Sequence, residues 1–162
     1  VNTGVAGAIH SSLDVNDIVI STEAIQYDVD ATAFGYAKGQ IPQMENSVFE
    51  ANEILINAAY ESSLDQVKDK GFKIVKGRVA TGDIFISSKE LKEELENDFK
   101  AYCGEMEGGA IAHACYLNNI PFVIIRAMSD KADGSADVTY DEFVVEAAEN
   151  SKDIVLKMLR AL

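Results

Sequence analysis

Two short stretches carry most of the side chains able to do chemistry: Glu105-Met106-Glu107 running into Gly108-Gly109, and Arg126-Ala127-Met128-Ser129-Asp130. A carboxylate held at a helix start can accept two hydrogen bonds from vicinal hydroxyls, so Glu107 suits a sugar, although acids in a first helical turn also simply complement the helix dipole. Arg126 closes an apolar run that begins at Ile120. A buried charge is costly unless paired, so a carboxylate or a ligand is expected beside it. Asp130 follows at the end of the same run, where open α/β sheets present their reactive groups and where turn aspartates are also common. Thr81-Gly82-Asp83-Ile84-Phe85-Ile86 sets an aromatic and a branched aliphatic after a strand-end turn. Phe85 and Ile86 can sandwich a flat ring there or pack into the core. Asn2-Thr3-Gly4-Val5-Ala6-Gly7 reads as a small-residue turn whose N–H groups can approach a ligand, without the lysine and hydroxyl of a P-loop. His113 reads as a structural histidine.

The elements that position these residues alternate. Val15 to Ser21 and Glu23 to Val29 are short β-branched segments, and Ala31 to Asn46 has neither periodicity, so it is a loop long enough to suggest a binding role. Apolar residues at 48, 51, 55, 58 and 59 predict a helix from Val48 to about Asp69, ending at Gly71. Phe72 to Ala80 reads as a strand, and Ser87 with Glu90 has capping-box spacing ahead of a helix over Lys89 to Lys100. Ala101 to Gly104 is a short strand, Glu105 to Asn118 an Ala/Gly-rich helix, and Pro121 to Ala127 a strand covered on both faces. Thr139 with Glu142 repeats the capping-box spacing before a helix that reaches the carboxyl terminus. Such alternation argues for an α/β layered sheet.

Composition narrows the functional classes. Fourteen Lys and Arg against 27 Asp and Glu give a net charge of −13, which opposes nonspecific attraction to nucleic acid or anionic lipid. Cys103 and Cys115 form no paired motif, and with only His10 and His113 a zinc site or disulfide framework lacks ligands, so the chain reads as cytosolic and free of metal. The run Ile120 to Ile125 is far shorter than the roughly 20 residues that cross a bilayer. No repeat or linker marks a second domain. The chain opens at Val1 on what looks like the end of a strand, so an amino-terminal piece is expected to precede it.

Five segments together resemble a known family. The Asn-Thr-Gly-x-Ala-Gly stretch, the TAFGY loop at Thr32 to Tyr36, Thr-Gly-Asp-x-Phe-Ile, Glu105-Met106-Glu107 leading to Ala110-Ile111-Ala112-His113, and Arg126 to Asp130 share the order and spacing of the bacterial 5′-methylthioadenosine/S-adenosylhomocysteine nucleosidases. The resemblance covers essentially the whole chain. It implies the purine nucleoside phosphorylase-like fold, a three-layer α/β/α sandwich on a central, mostly parallel mixed sheet. Residues 1–162 would be the carboxyl-terminal portion of one such domain. The implied activity, part of methionine salvage, is hydrolysis of the N-glycosidic bond of adenine thionucleosides to adenine and a thioribose, with no cofactor.

By the same resemblance Asp130 is the general acid at adenine N7, Glu107 binds ribose hydroxyls, Met106 flanks the sugar, and Arg126 orders the water network. Phe85 stacks near adenine, the Ile86 backbone reads the base edge, Gly7 lies by the sugar, and Glu105 and Ser129 join the substrate-binding set. Phe34 and Tyr36 reach the neighbouring subunit's pocket in a homodimer. Two departures follow. Val5 stands where the family commonly has a serine that could bind the nucleophilic water, and the family's water-activating glutamate lies on a segment preceding the counterpart of Val1. The rival readings are a phosphate-dependent phosphorylase and a noncatalytic nucleoside-binding domain. Only Arg78, Arg126 and Arg160 are available to hold phosphate, which favours hydrolysis, and no Gly-x-Gly-x-x-Gly supports a dinucleotide enzyme.

Overall fold

A computed structural model of the chain describes residues 1–133 and 136–162, with the side chains of 65–70, 136–140 and 142 outside the description. Six strands and four helices follow in the order β1 (Asn2–Ala8), β2 (Ile18–Gln26), β3 (Val48–Glu50), α1 (Glu53–Lys70), β4 (Ile74–Thr81), α2 (Lys89–Asn97), β5 (Ala101–Glu105), α3 (Gly108–Leu117), β6 (Ile124–Asp130) and α4 (Ala136–Ala161).

The α/β reading holds, on a mixed sheet ordered β3-β2-β4-β5-β1-β6. The β2–β4, β4–β5 and β1–β6 pairs are parallel, and the β1–β5, β2–β3 and β2–β6 pairs antiparallel. One edge of β2 is shared: Ile18 to Ile20 pair with β6, and Glu23 to Ile25 with β3. That sharing closes five strands into a ring. Helices α1 and α4 cover one side, where Ile56, Ala59, Ala147, Ile154 and Met158 meet Ile18, Ile20, Ile125 and Ala127. Ala112 of α3 packs on the other side with Val19, Ala24, Val79 and Ile124, and Leu95 of α2 joins a third cluster with Ile9, Ile25 and Ala80. Alternate residues of one strand thus serve opposite layers, as a pleated strand covered on both faces requires.

Several boundaries move for identifiable reasons. The Asn2 to Gly7 segment is strand and not turn. Neither Gly4 nor Gly7 has positive φ; what each lacks is a Cβ that would lie 2.1 Å from Arg126 Nη1 or 2.9 Å from Asp130 Oδ1. The two segments before Val29 merge into β2, which carries one extra residue against β4 between Ser21 and Glu23. Val48 to Glu50 joins the sheet, so α1 begins later, where Asn52 Oδ1 accepts the Leu55 N–H at 3.2 Å. The α2 cap is Ser88, one residue after the expected Ser87. The strand predicted from Pro121 starts at Ile124 and runs through Asp130, which puts the aspartate on the strand itself. Helix α4 starts three residues before Thr139, and the Thr139 and Glu142 side chains lie outside the described residues. No helix among the described residues is long and apolar enough to cross a membrane.

Candidate active site

Strands β1 and β5 approach each other from opposite directions and overlap only at Gly7–Gly104 and Ala8–Cys103. Both partners of the first pair lack a Cβ, and a methyl on Gly104 would stand 2.2 Å from the Ile86 side chain. The space left at this junction is a cavity of about 350 Å³, within the range that holds small ligands. Val5, Ala6 and Gly7 form one wall and Ser129 and Asp130 the next. Ile84, Phe85, Ile86, Glu105, Met106 and Glu107 line the remainder. Eight of the residues assigned to the site from the sequence therefore line one cavity. Arg126 stands behind the wall, and Phe34 and Tyr36 lie elsewhere.

Asp130 reaches the cavity through an irregularity of β6. Ala6 pairs with Met128 but Gly7 with Asp130, so Ser129 is an extra residue that re-aims the strand's last side chain beside Gly7. The carboxyl is 2% exposed; Oδ1 accepts the Ala132 N–H at 2.8 Å and Oδ2 the Ser129 hydroxyl at 2.9 Å. Desolvation outweighs both bonds, so burial pushes the Asp130 pKa above the ordinary aspartate value.

The two glutamates of the Glu-Met-Glu stretch divide their work. Glu105, the last residue of β5, turns inward. Its Oε2 accepts the Gly108 N–H at 2.7 Å and an Arg126 Nη2 proton, while Oε1 accepts the Thr81 hydroxyl. Thr81 Oγ1 in turn accepts the Gly109 N–H at 2.6 Å. One carboxylate and one hydroxyl thus satisfy the open N–H groups of α3 and place negative charge at its positive end. Glu107 occupies the cap position without capping, and its side chain, 66% exposed, extends toward the cavity with Oε2 3.5 Å from Arg126 Nη2. Arg126 is 3% exposed and also donates to Asn2 Oδ1 at 2.8 Å, which answers the expectation that it needs a carboxylate.

Ile86 is buried, while Phe85, 45% exposed, forms an aromatic wall at the cavity rim with Ile84 and Met106. Val5 also packs into the apolar cluster under α4, so the position that departs from the family pattern is half core. His113 stacks on Phe49 at 4.9 Å between ring centroids, a packing role. Thr81, Asn2 and Ile84 lie inside segments that the sequence singles out, but are assigned no role of their own from it. Thr81 stands there as a hydroxyl at a strand end, whereas nothing local shows that Asn2 meets Arg126 across 124 residues. Among the described residues no three His, Cys, Asp or Glu side chains are grouped to hold a metal ion.

A family model described as the phosphorylase superfamily matches residues 1–160. The 5′-methylthioadenosine/S-adenosylhomocysteine nucleosidase of Staphylococcus carnosus is 46% identical over 162 residues, 99% of this chain and 69% of that protein. Among solved structures, the nucleosidase of the same name from Neisseria meningitidis, in complex with methylthio-immucillin-A, superposes with a TM-score of 0.92 at 42% identity, over 99% of this chain and 68% of its own. The futalosine hydrolase of Helicobacter pylori superposes at 0.90 with 34% identity, over 98% of this chain and 66% of its own. The chain spans about two thirds of the length of these relatives.

Proposed function

The chain belongs to the phosphorylase superfamily, and from that premise and the cavity's chemistry we propose that it is an N-glycosyl hydrolase of adenine thionucleosides. It splits 5′-methylthioadenosine and S-adenosylhomocysteine into adenine and the corresponding thioribose. The observation that carries the reading is one cavity lined both by a buried Asp130, whose pKa burial raises, and by a largely exposed Glu107, with Phe85 beside them.

Departure of the base leaves positive charge on the sugar and negative charge on the leaving purine. Asp130, its pKa raised by burial, delivers a proton to adenine N7. Ser129 Oγ has a second acceptor, the Ala6 carbonyl at 3.5 Å, so its hydroxyl can turn from Asp130 Oδ2 as that oxygen changes charge. Glu107 accepts the ribose hydroxyls and, with Glu105 behind it, sets negative charge near the cationic sugar. Phe85 stacks on the purine, the Ile86 backbone reads the base edge, Met106 flanks the ribose, and Gly7 lets the sugar approach β1. Arg126, held by Glu105 and Asn2, keeps Glu107 and the adjacent water network oriented. The working form is a homodimer, in which Phe34 and Tyr36 complete the neighbour's pocket.

Hydrolysis is favoured over phosphorolysis because every charged side chain lining the cavity is an acid. Phosphate needs several cationic or N–H donors. Among the arginines, Arg78 is held by Glu23 and the Phe99 carbonyl and Arg126 by Glu105. The test is release of adenine from methylthioadenosine in phosphate-free buffer, with the sugar identified by chromatography. Free thioribose is expected; a sugar 1-phosphate formed only on adding phosphate would make the protein a phosphorylase, and tight binding without product a nucleoside-binding domain.

A further inference from the structure

We propose that Lys92, on α2 and outside the cavity, is a positioning residue for Asp130: its ammonium group holds the backbone turn that aims the carboxyl. The inference rests on Asp130 being the proton-bearing group of the reading above. The turn is Asp130-Lys131-Ala132, and its last residue has a φ of +50°, in the left-handed region that a side chain with a Cβ disfavours. That conformation folds the Ala132 N–H back onto Asp130 Oδ1 at 2.8 Å. A disfavoured backbone persists only where its surroundings over-determine it.

Two contacts do so. The Ala132 methyl is fully buried and fills the space beside Gly7, where an added Cβ would stand 2.9 Å from it. The other contact comes from α2, whose Lys92 Nζ donates to the Lys131 carbonyl oxygen at 2.5 Å, fixing the peptide that leads into Ala132. Lys131 directs its own ammonium away, to the Leu13 carbonyl at 3.2 Å and to Asp14. The backbone of the turn, and not a side chain, is therefore what Lys92 grips. Its stem is half-buried, and desolvation lowers its pKa. The charged groups facing it are Asp133, Lys131 and Asp130 across the turn and Glu96 on its own helix; Asp130 in turn feels Asp133 and Lys92.

Both Lys92 and the Ala132 N–H that it secures favour the ionised carboxylate. Removing Lys92 therefore raises the proton affinity of Asp130 further while loosening its aim. Because Asp130 must be protonated to act, activity falls as pH rises through its pKa, and a higher pKa moves that falling limb upward. The decisive comparison is Lys92→Met, Lys92→Arg and Asp130→Asn, assayed for kcat and KM with methylthioadenosine across pH.

Lys92→Met should lower kcat about tenfold or more with KM within about twofold, the scale of a small misalignment, and shift the basic limb of kcat/KM to higher pH. Lys92→Arg, which keeps the donor and the charge, should restore both. Wild-type kcat in Lys92→Met, or a loss of rate with the limb unmoved, overturns the proposal and leaves the role of Asp130 intact if Asp130→Asn is inactive. Full turnover by Asp130→Asn overturns both. Should Lys92→Met fail to fold, the limb position in Lys92→Gln decides in the same way.

Discussion

Asp130 sits under opposed forces whose balance sets what it can do. Two hydrogen bonds from Ser129 and Ala132 favour its charge, and burial against Gly7 and Ala132 opposes it more strongly. The same imbalance acts on stability. A carboxyl whose pKa is raised in the fold supports the native state at low pH, and that support is lost as pH rises through the folded value. Above it, the protein carries a charge that it does not solvate well. Asp130→Asn keeps the shape and an acceptor for the Ala132 N–H but supplies no acid. Its turnover should fall by about 10² to 10⁴-fold, with secondary structure unchanged by circular dichroism. Thermal melts should place its Tm above wild type at pH 8, the gap closing as pH drops below the carboxylate range. Equal single-turnover rates for the two proteins would remove Asp130 from the mechanism.

At the scale of elements, the start of α3 is where β4, β5 and β6 are tied together, because Thr81, Glu105 and Arg126 converge on the helix N–H groups. Glu105 is therefore a structural anchor and Glu107 the residue free to meet a ligand. Glu105→Gln leaves Arg126 buried without its countercharge and should cost about 3 kcal/mol in urea unfolding, the usual loss when one partner of a buried pair is removed. Glu107→Gln should stay within about 0.5 kcal/mol of wild type yet raise KM for the thionucleoside. The opposite ranking would exchange the two roles. The sequence singles out Glu107 for a sugar but does not show that Glu105 turns inward to anchor α3, since that depends on β5 running one residue further than its apolar pattern indicates. It does show what local physics decides: the α1 periodicity, the serine cap of α2 to within one residue, and an apolar β6 closing on a charge. What it hides is set across the sheet. The extra residue at Ser129, the strand character of Asn2 to Gly7 and the β2–β6 closure are fixed by partners a hundred or more positions away, and no window of neighbouring residues contains them.

For the molecule as a whole, the long segment after β2 poses the question of assembly. Its base is braced: Asp30 Oδ1 accepts both the N–H and hydroxyl of Thr32, the Gly39 N–H reaches the Val29 carbonyl at 2.8 Å, and Lys38 pairs with Glu94 of α2. Gly39 is packed so closely on the Phe99 ring that a Cβ would lie 2.9 Å from it. Yet this anchored loop holds Phe34 84% exposed, away from the cavity of its own chain. A loop braced at its base that presents an aromatic ring to water gains by association, since a large apolar face is covered. If that face meets the neighbour's pocket, Phe34→Ser should weaken dimerisation by about 2 kcal/mol, roughly 30-fold in Kd, the scale of an aromatic interface anchor. Light scattering over a dilution series would read that shift. On the same premise the ring would also wall the neighbour's substrate site, and the variant should then raise KM at protein concentrations where the wild type self-associates. Weaker dimers with unchanged KM would make Phe34 an interface residue only, and an unchanged dimer with unchanged KM would remove the loop from both roles.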